Sequence, residues 1–151
     1  MQIRRNVTVA ATPATIFRIY RDVSNWHTWD PDTKSASLDG PFIAGACGRL
    51  TPTKGRTVPM RLTEVAPDRC FTVESSVPFF HMRFDHMLTP SGAATEVVHQ
   101  ATFSGPLSFL LGRLLCRRMA AGLPTTLARL KALAERLEQD ASAGVSGAGG
   151  L

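Results

Sequence analysis

The chain has 151 residues, 44% of them hydrophobic and 19% charged, which excludes a wholly disordered chain, a collagen and a membrane channel. A single domain of this length buries roughly 70% of the surface its unfolded form exposes, so it needs no metal or disulfide staple. The net charge of +5 comes from scattered residues, with no dense basic run interleaved with aromatics, so no nucleic-acid partner is expected.

The first residues, Met1 to Val7, carry two arginines but no apolar stretch behind them, unlike a signal peptide. From Ile3 to Ala10 the chain alternates and is rich in β-branched residues, which predicts a strand. Thr12-Pro13 is a helix start, a capping hydroxyl followed by a proline that loses no bond there. Ile16, Phe17 and Tyr20 then fall on one face of a short helix. A second short helix is expected from Asp22 through Trp26 and Trp29, stopped by Asp30-Pro31.

From Asp32 to Gly105 the period becomes two. Strands are expected at Thr33–Leu38, Cys47–Pro52, Thr57–Ala66, Arg69–Val77, Phe79–Thr89 and Thr95–Ser104, with Gly, Pro and Asp turn residues between them. Such short connections imply antiparallel neighbours. From Pro106 to about Gln139 leucines recur at helical spacing, with a kink expected at Gly122 and Pro124. Residues 1–139 thus form one domain, and the Ala/Ser/Gly-rich residues 140–151 are expected to be a flexible tail. The cysteines Cys47, Cys70 and Cys116 form no CxxC pair, which fits a reducing cytoplasm.

The order β-α-α-β6-α gives an α+β fold. A curved antiparallel sheet of about seven strands has one face to cover, and only the C-terminal helix is long enough to cover it. The residues Val7-Thr8-Val9, Ala11 to Phe17, Asp22 to Trp26, Trp29-Asp30-Pro31, Leu88 to Gly92, Phe103 to Pro106 and Leu123 to Leu127 resemble the helix-grip, START-like (SRPBCC) superfamily, in its polyketide cyclase/dehydrase and lipid-transport branch. The resemblance runs from about residue 2 to 138. It implies a sheet wrapped around the last helix. It implies no particular activity, because the superfamily includes carriers, cyclases, receptors and regulators.

Strand phase nominates the lining of a cavity between sheet and helix. In Phe79–Thr89 the apolar phase is Phe80, Met82, Phe84, His86 and Leu88. In the next strand it is Val97, His99, Ala101 and Phe103. Met60, Leu62, Phe71 and Val73 join from earlier strands, and Leu111, Leu115 and Met119 from the helix. If both phases hold, the hairpin register sets His86 opposite His99. That pair is able to orient a ligand carbonyl, exchange protons near neutral pH, or simply find ordinary structural partners. Trp26 and Trp29 fit either a ligand lid or core packing. No spacing suits a metal or a phosphate loop, so no metal and no cofactor are expected.

The segment Leu107 to Leu115 is apolar on more than one stripe. It suits, in descending order, a cavity roof, a homodimer contact in place of a monomer, or peripheral membrane contact beside Arg113, Arg117 and Arg118. The leading expectation for function is binding of a hydrophobic small molecule such as a lipid, isoprenoid or polyketide. The alternatives are a cyclase or dehydrase with His86 or His99 as acid/base, and a regulatory subunit that binds a protein partner.

Overall fold

The alternating middle of the chain folds into seven strands of one antiparallel sheet, curled into a half-barrel. A computed structural model describes residues 1–148, except for the side chains of 145–148. The strands are β1 (Gln2–Val9), β2 (Thr33–Leu38), β3 (Cys47–Pro52), β4 (Val58–Ala66), β5 (Cys70–Val77), β6 (Phe80–Ser91) and β7 (Ala94–Ser104). Their spatial order is β1-β7-β6-β5-β4-β3-β2. The strand β6 runs past Pro90, which pairs with Thr95, so the hairpin turn lies at Gly92-Ala93, with Gly92 at φ +63°. A bulge between Leu62 and Glu64 leaves Thr63 unpaired, and it keeps Val65 opposite Phe71 on the same face as Leu62.

Thr12 caps helix α1 (Pro13–Arg21), its hydroxyl accepting the Thr15 N–H at 3.3 Å. The expected second helix is a 3-10 turn, Val23–Thr28, with Trp29 as its cap. Asp30 closes it by accepting the Asp32 N–H (3.1 Å) and the Thr33 hydroxyl (2.7 Å).

The C-terminal segment opens not as an α-helix but as one π turn, Ser108–Gly112, continued by α2 (Arg113–Ala148). The helix passes Pro124 without interruption. That proline is exposed, so water is at hand for the carbonyl it leaves unbonded. The helix also extends into the Ala/Ser/Gly-rich stretch expected as a tail, as far as Ala148; residues 149–151 of that stretch lie outside the described residues.

Polar anchors fix the later half of α2 to the β1–α1 corner. Lys131 Nζ donates to Thr8 O (2.9 Å), Glu135 accepts the Ala10 N–H (2.9 Å), and Glu138 accepts the Thr15 hydroxyl. Nearby, Gly122 lets the helix pass close to the Asp30–Asp32 loop: a Cβ there would stand 2.8 Å from Asp32 Oδ2.

Candidate functional site

The concave face of the sheet divides into two unlike halves. One is filled with aromatic rings. Phe17, Tyr20, Trp26, Trp29 and Phe71 are all buried there, together with Met60, Leu62, Val73, Leu127 and Leu130. Trp26 donates its indole N–H to Tyr20 O at 2.8 Å. Both tryptophans are therefore core residues and neither forms a lid. The other half has a buried floor of Phe80, Ala101 and Phe103. Over it lie Val77, Met82, Phe84, Leu115, Cys116 and Met119, all only partly buried. Phe84 touches both halves.

The two histidines stand in the filled half and at its border. Their strands pair His86 with His99, and the ring centroids are 4.6 Å apart at 74°. The register follows from the two-residue turn, which makes Ser91 and Ala94 the innermost pair. His86 lies flat on Phe71, 4.0 Å between centroids and 4° between planes. His99 Nε2 shares a 2.8 Å hydrogen bond with the Tyr20 hydroxyl. Two polar atoms in this region are buried without a hydrogen-bond partner, His86 Nδ1 and Trp29 Nε1. Such groups are costly, about 1–3 kcal/mol each, and mark places where a partner from outside the chain gains most.

Burial sets the charge state here. It lowers His86 to about 4. It lowers His99 well below its ordinary value, and the neighbouring His86 adds to that. It raises Tyr20 far above its own. At neutral pH the trio is uncharged. Proton exchange near neutrality, one option read from the sequence, is thus displaced to acid, and the trio is left as neutral hydrogen-bonding groups.

The predicted lining residues are therefore not one set. Met60, Leu62, Phe71, Val73 and His99 pack in the filled half. Phe80, Met82, Phe84, Phe103, Leu115 and Met119 come together in the half-open one, whereas His86 packs on Phe71, Tyr20 and His99 in the filled one. Leu111 is exposed beside Leu110 and belongs to neither. Two hollows also open away from this face. One, of about 320 Å³, lies among Arg4, Thr72, Arg83, Asp85 and Gln100, where Thr72 and Arg83 already satisfy Asp85. The other, of about 310 Å³, sits at the β3–β4 hairpin around Arg49 and Pro59. In place of the enclosed cavity expected beneath the helix, aromatic packing fills one half, and the other presents apolar side chains that are packed on their floor and only partly covered.

Tyr20 is the site residue that the sequence left open. Its spacing from Ile16 and Phe17 put it on the inner face of α1, but its pairing with His99 joins residues 79 positions apart. Among the described residues, no three His, Cys, Asp or Glu side chains stand together in a way that would hold a metal. No helix among them is long and apolar enough to cross a membrane.

A family model described as polyketide cyclase / dehydrase and lipid transport matches residues 1–135. No curated protein matches the chain. Solved structures with the same fold include protein MLL2253 from Mesorhizobium loti, at 13% identity and a TM-score of 0.73, covering 90% of this chain and 98% of that one. The Zhui aromatase/cyclase from Streptomyces sp. R1128 is similar at 18% identity and a TM-score of 0.73, covering 90% and 94%. TTHA0849 from Thermus thermophilus is similar at 18% identity and a TM-score of 0.70, covering 89% and 97%. At these identities the likeness is one of fold.

Proposed function

The chain belongs to the polyketide cyclase/dehydrase and lipid transport family, and on that premise we propose that it binds a hydrophobic small molecule with a polar end, a lipid, isoprenoid or polyketide, on the half-open side of its concave face. The observation that carries this reading is the set of apolar side chains left half-covered there. Met82 and Phe84 on the sheet and Leu115, Cys116 and Met119 on the helix pack against a buried Phe80–Phe103 floor and stay partly exposed. Apolar surface that the fold itself does not finish burying is surface that a ligand gains by covering. His86, with Nδ1 unpartnered, lies at the inner end, next to Phe84 in the strand phase. The ligand's polar end meets that nitrogen, and its apolar body lies between β6 and α2.

The test is uptake of a neutral apolar fluorophore, with native mass spectrometry for any molecule that co-purifies. One site per chain is expected. Met119→Trp, which covers this partly exposed surface from the helix side, abolishes uptake with the fold intact by circular dichroism. Uptake that is absent in the parent, or unchanged in Met119→Trp, would overturn the reading.

A second reading, cyclisation or dehydration of a polyketide in the same place, is favoured by one observation. His86 is neutral at pH 7 with an unpartnered nitrogen, which suits it to hydrogen-bond a reacting polyketide rather than to take its proton, since burial weakens it as a base. Turnover of a reactive polyketide that is lost in His86→Phe, while fluorophore uptake persists, separates this reading from simple binding.

A further inference from the structure

The end of the protein where α2 begins carries apolar side chains that nothing in the fold covers. Phe109 is 68% exposed, Leu110 62% and Leu114 48%; Phe79, in the turn between β5 and β6, is 69% exposed. Since Phe109, Leu110 and Leu114 point outward, they do not roof the concave face. The backbone binds the two segments into one surface. Leu107 donates its N–H to Phe79 O at 3.0 Å, and Gly105, at φ +100°, lies so close that a Cβ there would stand 2.8 Å from the same oxygen. Phe79 has φ +66°, a left-handed conformation that a glycine or asparagine takes at far lower cost. A bulky ring is thus held outward in a strained turn, beside three exposed residues of the π turn and helix start. Scattered single apolar residues are ordinary on a surface, but a contiguous group of this kind marks an interaction site.

Its charge indicates the partner. Arg113, Arg117 and Arg118 follow on the same stretch, all exposed, and none forms an ion pair among the described residues. No Asp or Glu occurs between Glu96 and Glu135. We propose that this end docks on an anionic phospholipid bilayer. Phe79, Phe109 and Leu110 enter the acyl boundary while the three arginines lie at the level of the phosphates. A second copy of the chain fits less well, because an isologous contact through this patch brings the arginines of both copies together. Docking does not depend on the ligand reading, although the half-open face begins at Leu115, directly beyond the patch.

Flotation with vesicles tests the proposal, using phosphatidylcholine alone and phosphatidylcholine mixed with phosphatidylserine, at low and high salt. The protein is expected to float with the phosphatidylserine vesicles at low salt and to detach as salt rises. Phe109→Ser with Leu110→Ser lowers binding roughly tenfold or more. Arg117→Gln with Arg118→Gln lowers it by a similar factor on anionic vesicles only. All four side chains are exposed, so thermal unfolding should match the parent. The proposal is overturned if the parent stays unbound at low salt, or if neither pair of substitutions weakens binding. It is also overturned if sedimentation without lipid shows a dimer that Phe109→Ser with Leu110→Ser dissolves, which would assign the patch to a second copy.

Discussion

Replacing His86 by Phe should alter how stability depends on pH more than it alters stability itself. The phenyl ring keeps the flat stack on Phe71, at 4.0 Å between centroids, and removes the unpartnered Nδ1. At neutral pH the variant is therefore expected to be as stable as the parent or slightly more so. The difference grows in acid. Below about 6.5 the unfolded chain takes up a proton on His86, whereas the folded chain resists until about 4. In that window the unfolded state binds more protons, so the parent loses stability as pH falls through it and loses no more below about 4. The gap corresponds to at most about 3 kcal/mol, or roughly 6–12 °C in midpoint for a chain of this size. Asp30 acts in the opposite sense. Burial raises its carboxyl, so the folded state binds that proton first and gains stability as the medium turns acid. Subtracting variant from parent cancels Asp30 and leaves His86 together with the part of the His99 lowering that His86 causes. Urea unfolding of both proteins at several pH values between about 7 and about 4 measures the difference. A constant offset across the range would refute the claim that His86 is held neutral by burial.

Two glycines make a contrasting pair. Gly48→Ala places a Cβ 2.0 Å from Ser37 O, a backbone atom of the paired strand, and should cost about 2 kcal/mol or more by forcing β2 and β3 apart. Gly122→Ala meets only the end of the Asp32 side chain, which is able to swing away, and it gains helix propensity. It should leave stability unchanged or raise it by up to about 1 kcal/mol. Chemical denaturation ranks the two, and an equal loss in both would contradict the packing described. Tyr20→Phe strips the hydroxyl from His99 Nε2 in the buried trio and should destabilise by about 1–3 kcal/mol at neutral pH. An unchanged unfolding midpoint would mean that this hydrogen bond contributes nothing.

The strands, the cap and the His86–His99 register were legible in the sequence because each depends on neighbours along the chain or on one short turn. Alternation in Phe80–Leu88 and in Val97–Phe103 assigns each side chain to a face and so sets His86 opposite His99, while the turn itself falls at Gly92-Ala93, beyond the strand ends expected at Thr89 and Thr95. Thr12-Pro13 favours a helix start through its own cap and fixed φ, and it opens α1 here. The tertiary structure decided what stands above that face. Tyr20 and the two tryptophans fill half of it, because α1 and the following turn fold back over β5 to β7. Leucines with one spacing divide accordingly: Leu127 and Leu130 meet those rings and are buried, whereas Leu110 and Leu114 meet nothing and are exposed. Periodicity states that a residue has an apolar face. Whether that face is covered depends on residues distant in the chain, and only the packed fold brings them together.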